Sequence, residues 1–237
     1  SFRRDASSRF HPDHRWGNFW SLGGGWLINY EPWFRVPWVD MLKVKASIGS
    51  QGNDNIADYL YTDMYSISNS DGEIGVSRGS IGNPDITWET NTNFNAGFEF
   101  ELFKRLSGGI EYYKRNTTDM LFSFSVAPSA GYTSYYDNVG DLFNDGIELE
   151  LSYDIIKRRN INWNVFGNIS TLRNRITMLH EDNKTTSYFD LEGNEYFGYT
   201  SGSFFIAEGA SMYSWRLKEF AGVDPVTGLS LRYKDVE

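Results

Sequence analysis

The residues best placed to do chemistry in this chain are carboxylates. Glu99 and Glu101, then Glu111, then Glu148 and Glu150, sit at alternate positions of strand-like segments, so each pair shares one strand face. Residues i and i+2 on such a face lie about 7 Å apart, within the range of the paired carboxyl groups that cleave glycosidic bonds. One reading is therefore a β-rich glycosidase. The other is a hydrated acidic wall, and it is preferred, because no single acid is marked as desolvated and the five recur like a lining. Other constellations are weaker. His11, Asp13 and His14 offer two imidazoles and a carboxylate, but only His180 remains elsewhere, so no metal is expected. The runs Gly52-Asn53-Asp54-Asn55 and Asn69-Ser70-Asp71-Gly72-Glu73 lack the spacing of a calcium loop and read as turns. Gly23, Gly24 and Gly25 precede Trp26 without a phosphate-binding pattern. With no cysteine there is neither a thiol nucleophile nor a disulfide framework, and no cofactor is expected.

These side chains need strands to hold them. Aromatics make up 17% of the chain and Gly numbers 23, a mixture that suits pleated surfaces joined by turns. Along 94–102, Phe94, Ala96, Phe98, Phe100 and Leu102 face one side while Asn95, Gly97, Glu99 and Glu101 face the other. Phe103, Lys104 and Arg105 form a tight connection to a second alternating run over 106–113. The pattern returns over 147–154 and 161–169, joined through Lys157, Arg158, Arg159 and Asn160, and upstream over 42–49 and 19–28. Further strands are expected near 59–67, 120–126 and 214–221.

Short turns near Lys104 and Lys157 alternate with long polar stretches over 49–88, 116–145 and 172–215, the rhythm of a barrel with tight turns at one end and extended loops at the other. Ten residues rising about 3.3 Å each and tilted about 45° span roughly the 25 Å apolar band of an outer-membrane barrel. Trp20, Trp26, Trp88, Phe103, Tyr112 and Tyr153 stand at strand ends, where interfacial girdles would sit. A net charge of −9 repels phosphate backbones and argues against nucleic acid. Without an apolar run of helix-spanning length a transmembrane helix is excluded, but a transmembrane barrel is not, since alternating strands average to a hydrophilic score such as the mean hydropathy of −0.47.

A series of ordered motifs adds to this. It runs from Arg4-Asp5-Ala6-Ser7-Ser8-Arg9-Phe10 through Arg15-Trp16-Gly17, Gly25-Trp26 and Glu31-Pro32 to Leu42-Lys43-Val44-Lys45-Ala46-Ser47-Ile48-Gly49. It continues with Gly82-Asn83-Pro84-Asp85, Thr87-Trp88-Glu89, Asn138-Val139-Gly140, Asn144-Asp145-Gly146-Ile147-Glu148, Asn174-Arg175-Ile176 and Ala221-Gly222-Val223-Asp224-Pro225. In this order, over nearly the whole chain, they resemble the C-terminal half of SusC/RagA-like, TonB-dependent outer-membrane transporters. The resemblance implies an all-β fold, a segment of an antiparallel transmembrane β-barrel of 22 strands, with short periplasmic turns and long extracellular loops.

Twenty-two strands of ten residues would consume about 220 residues by themselves, so residues 1–237 are expected to supply about eight strands, without the plug domain and the final strands. The implied activity is import of a bulky nutrient, a glycan or in some members a peptide, with no bond broken. The implied partners are the lipid bilayer, a SusD-like surface lipoprotein and TonB, and the implied location is the bacterial outer membrane. Stretches 50–87, 116–144 and 173–214 would face outside, where Tyr132, Tyr135, Tyr136, Tyr196 and Phe197 are expected as exposed stacking surfaces for substrate. Glu99, Glu101, Glu111, Glu148 and Glu150 would line the lumen. The rivals are a soluble acidic carbohydrate-binding module and the glycosidase; the first would leave Phe94, Phe98, Phe100, Leu149, Leu151 and Trp163 needing a covering layer.

Overall fold

A computed structural model describes residues 1–232 apart from 71, 126–128, 130, 131, 133, 139, 191 and 219. The strands, in chain order, begin with β1 (Phe2–Ala6), β2 (Trp16–Leu27), β3 (Val39–Asn53), β4 (Met64–Ser70), β5 (Glu73–Ser80) and β6 (Glu89–Leu102). Next come β7 (Leu106–Thr118), β8 (Leu121–Ser125), β9 (Ser134–Asn138), β10 (Asp141–Arg158), β11 (Ile161–Ser170) and β12 (Arg173–Met178). The last are β13 (Thr186–Phe189), β14 (Glu195–Ser201), β15 (Phe204–Ala207), β16 (Ser214–Trp215), β17 (Phe220–Val223) and β18 (Ser230–Arg232). Among the described residues there is no α-helix.

One open, antiparallel sheet of eight strands dominates, in the order β1-β2-β3-β6-β7-β10-β11, with β12 laid end to end with β11 along the same edge of β10. Its register puts apolar side chains directly opposite one another. Trp26, Val44, Phe98, Ile110, Leu149 and Ile169 form a single row across six strands. A shift of one residue would turn that row to the opposite face, so register and face are fixed together. The row is uncovered, with Phe98 39% and Ile169 64% exposed. A contiguous apolar face of this extent belongs against lipid or a partner, not water.

The turn side is compact. Arg105 N donates to the Leu102 carbonyl, and Phe103 and Lys104 both carry positive φ, 55° and 54°, the twist that a tight hairpin needs. At this end Trp38 stacks on Phe103 at 5.5 Å and Trp33 meets Trp26 at 6.0 Å, forming a girdle with Tyr153.

Buried apolar packing lies at the opposite end, away from the apolar row. Phe10, Ile56, Leu60 and Ile86 form a small core, with Trp88, Leu121 and Tyr136 packed against it. Trp88 therefore leaves the girdle that its position at a strand end suggests. It contacts Phe10 and Phe19, and its indole N–H donates to the Arg15 carbonyl at 3.0 Å. Phe19 lies over Gly17 and Gly52, where any Cβ would collide with its ring. Asparagines pin these loops: Asn138 receives the Thr87 N–H at 2.8 Å and donates to the Thr87 and Asp119 carbonyls, and Asn83 donates to Asp137.

Two expectations change. The strands near 59–67, 120–126 and 214–221 exist in part, but as β4/β5, β8/β9, β15/β16 and β17/β18 pairings of small accessory sheets, not as wall. The wall strands also run past their apolar stretches into polar residues, so 50–53, 116–118, 141–144 and 173–178, read as loop, are strand. Polar residues on both faces hide a strand from a period-two search.

This two-ended design predicts different outcomes for two substitutions. Phe98→Lys should lower the unfolding free energy in a bilayer by about 2–4 kcal/mol, as a cation near the lipid midplane does. Ile86→Ala should cost about 2–5 kcal/mol, felt in the outer loops through cavity formation. Equal stability of Phe98→Lys and wild type in liposome unfolding would contradict a lipid-facing row.

Candidate functional site

On the other face of the same strands the acids assemble as the alternation implies. One row across the sheet reads Lys43, Glu99, Gly109, Glu150 and Asn168, and the next reads Lys45, Gly97, Glu111, Glu148 and Ser170. Glu101 continues this face on β6, opposite Ser107. All five glutamates thus share one surface.

What the acid pattern alone missed is the pair of lysines. Lys43 Nζ lies 3.2 Å from Glu99 Oε2, and Lys45 Nζ lies 3.0 Å from Glu99 Oε1 and 2.6 Å from Glu111 Oε2. Lys45 reaches Glu111 across an intervening strand because the residue between them is Gly97. A Cβ there would fall against the Ile110 carbonyl oxygen and 2.9 Å from Glu111 Cα, so the gap is enforced by backbone. Glu111 directly faces Glu148 on β10, a like-charge pair that costs energy unless a cation compensates it. Lys45 supplies that charge on one side only; among the described residues no ion pair holds Glu148 or Glu150.

Two depressions meet at Glu111 and Glu148. One, of about 550 Å³, is lined by Lys45, Glu99, Glu111, Glu148, Glu150 and Asn168 among others. Its neighbour, about 720 Å³, carries Gln51, Asn93, Asn95, Tyr113, Arg115 and Asn144. Amides, carboxylates and a guanidinium in a shallow, open surface suit passing contact with a hydroxyl-rich or zwitterionic solute. Such an open surface does not enclose one bond between an acid and a base.

The loop aromatics are placed differently from expectation. Tyr136 packs on the loop core, and Tyr132, Tyr135 and Tyr196 are half-buried; of the five only Phe197 is exposed, at 50%. Tyr196 joins Tyr188, Phe205 and Trp215, with Asn174, Arg175 and Asp190, around an outer depression of about 320 Å³. The Asp190 carboxyl is held below the usual aspartate range, chiefly by the Asn194 side-chain amide at 2.9 Å, then by the Asn194 and Glu192 backbone N–H groups. Nothing in the sequence marked Tyr188, Phe205 or Trp215, since strands from 186 to 215 must pair before these rings meet. His11 and His14 do not converge on a metal: His11 lies 3.4 Å from Asp13, while His14 turns to Asp85 at 3.6 Å.

A family model described as TonB dependent receptor-like, beta-barrel, matches residues 1–235. The chain is 31% identical over 228 residues to the TonB-dependent receptor SusC of Bacteroides thetaiotaomicron, covering 87% of this chain and 23% of that protein. It is 28% identical over 218 residues to a TonB-dependent receptor of Formosa agariphila, covering 90% and 19% respectively. Among solved structures, that of the RagAB peptide transporter superposes with a TM-score of 0.82 at 29% identity, over 98% of this chain and 25% of the other. The chain therefore spans 19–25% of the length of these relatives, all named as receptors or transporters and none as an enzyme.

Two outcomes follow for this surface. Lys45→Gln and Glu111→Gln should each destabilise the barrel, with a coupling of about 0.5–1 kcal/mol in a double-mutant cycle; a coupling of zero would deny the bridge over Gly97. For Asp190, a folded-state pKa below the unfolded value means that its contribution is present above about pH 4 and is lost as pH falls through the lowered value. Hydrogen exchange at the Asn194 amide should lose protection on acidification below about pH 4 in wild type. In Asp190→Asn it should be weakly protected at every pH.

Proposed function

The chain belongs to the TonB-dependent receptor-like β-barrel family of outer-membrane proteins, and from that premise we propose that it forms part of the wall and outer loops of an importer for a bulky nutrient, an oligosaccharide by preference. The observation that carries this reading is the two-faced sheet, apolar toward one side along the row from Trp26 to Ile169 and lined on the other by Lys43, Lys45 and the five glutamates. A solute crossing such a wall meets side chains that form and release hydrogen bonds without trapping it.

In this reading Glu99, Glu101, Glu111, Glu148 and Glu150 line the transport path. Tyr196 and Phe197, with Tyr132 and Tyr135, contribute to substrate contact at the outer end. The oligosaccharide preference rests on the outer depression, which Tyr188, Tyr196 and Trp215 line beside Asp190, Asn174 and Arg175 as hydrogen-bonding groups. The peptide reading is supported by the likeness to the RagAB peptide transporter and by the mixed charge of the lumen face. Energy would come through TonB, and a SusD-like lipoprotein would cap the outer loops.

Binding and uptake of labelled oligosaccharides and of peptides by cells carrying the intact protein separate the two readings. Tyr196→Ala should weaken oligosaccharide binding about fivefold to tenfold, the worth of one aromatic contact. Peptide uptake with no oligosaccharide binding would transfer the assignment to peptides, and energy-independent uptake would defeat the transport reading itself.

A further inference from the structure

The chain is acidic as a whole, −9, yet its turn side is basic. Residues 28–40, 103–105 and 154–160 carry Arg35, Lys104, Arg105, Lys157, Arg158 and Arg159 against three acids, and each acid is already engaged. Glu31 accepts from the Trp26 indole at 2.8 Å, Asp40 accepts the Lys104 backbone N–H, and Asp154 holds Lys157 at 3.0 Å.

The two hairpin turns are joined into one cluster. Asp154 N donates to the Arg105 carbonyl at 2.9 Å, and Lys157 Nζ to the Lys104 carbonyl at 3.3 Å. Lys104, Arg105, Arg158 and Arg159 are exposed, and among the described residues none makes an ion pair. Toward the outer end several cations are paired, Arg3 with Asp5, Arg9 with Asp58, Arg173 with Asp145, and Lys184 with Glu181 and Glu208, while Arg4 and Lys114 lie over rings.

Depth identifies what the free charges meet. Trp38 and Phe103, stacked and 50% and 62% exposed, form an aromatic pair of the kind that settles at the headgroup boundary, and Lys104 and Arg105 follow Phe103 directly. On the barrel reading, such a ring pair sets these cations at the level of lipid phosphates.

We propose that this cluster, built from the β6–β7 and β10–β11 turns, binds the headgroup of an anionic phospholipid in the periplasmic leaflet of the outer membrane. The inference rests on the barrel reading for its orientation, since the short turns of such barrels face the periplasm. Arg158 and Arg159 supply planar forks for phosphate oxygens, Lys104 and Arg105 add charge from the neighbouring turn, and the aromatic pair fixes the acyl boundary.

The test uses the intact protein purified in mild detergent and exposed to equimolar phosphatidylglycerol and phosphatidylcholine, with retained lipid read by native mass spectrometry. Wild type should retain phosphatidylglycerol in preference. Each basic residue near an anionic surface is worth about fivefold in partitioning, so Arg158→Gln/Arg159→Gln should reduce the preference at least tenfold. Arg78→Gln/Lys218→Gln, an equal charge change elsewhere, should leave it intact. No preference in wild type, or an unchanged one in Arg158→Gln/Arg159→Gln, overturns the proposal, as does retention of lipid A in place of the phospholipid. If the arginine pair proves needed for folding, the wild-type preference and its loss in Lys104→Gln/Arg105→Gln decide the matter. Heat-modifiable migration and outer-membrane fractionation are scored in parallel: their failure defeats the barrel reading, whereas their success without lipid preference defeats only this site.

Discussion

The constraint on which everything else depends is the hydrogen bonding of backbone in lipid. An unpaired N–H or carbonyl in the hydrocarbon layer costs several kcal/mol, so the wall must be a continuous antiparallel ladder. Once that ladder is laid, period-two alternation sends every second side chain into lipid and its neighbours inward. The row from Trp26 to Ile169 and the row from Lys45 to Glu148 are two consequences of one register.

The same constraint explains why the molecule has no core in its middle. Lipid substitutes for a covering layer on the apolar face and the opposite face is polar, so the wall needs no apolar packing of its own beyond side-by-side contact. Packing is needed only where strands leave the membrane. There the chain collects Phe10, Ile56, Leu60 and Ile86 into a small buried cluster and lets Asn83, Asn138 and Asn174 take over hydrogen bonds that a ladder would otherwise supply. These asparagines stand in motifs that identify the family in sequence, so those motifs mark loop pins at the outer rim.

Charge is managed in the same spirit. Glu111 and Glu148 face each other across a strand pair, which would be unfavourable alone. Lys45 relieves it from two strands away, through the gap left by Gly97. Among the described residues no ion pair holds Glu148 or Glu150. The polar face is thus neutralised on one flank and acidic on the other.

Alternation over 94–102, 106–113, 147–154 and 161–169 was enough to fix the central strands, their turns and the common face of the five glutamates, because a side-chain period of two is a local property of an extended chain. Ordered motifs placed the chain in its family for a related reason: each is a short local device, a length of wall strand, a turn or a pin. Cross-strand identity is not local. That Lys45 bridges to Glu111, that Trp88 turns inward onto Phe10 while Trp26 stays in the girdle, that Tyr136 is packed while Phe197 is exposed, and that two basic turns fuse into one patch, all depend on which residues far apart in sequence become neighbours. Register decides that, and register is set by the whole sheet closing its hydrogen bonds at once.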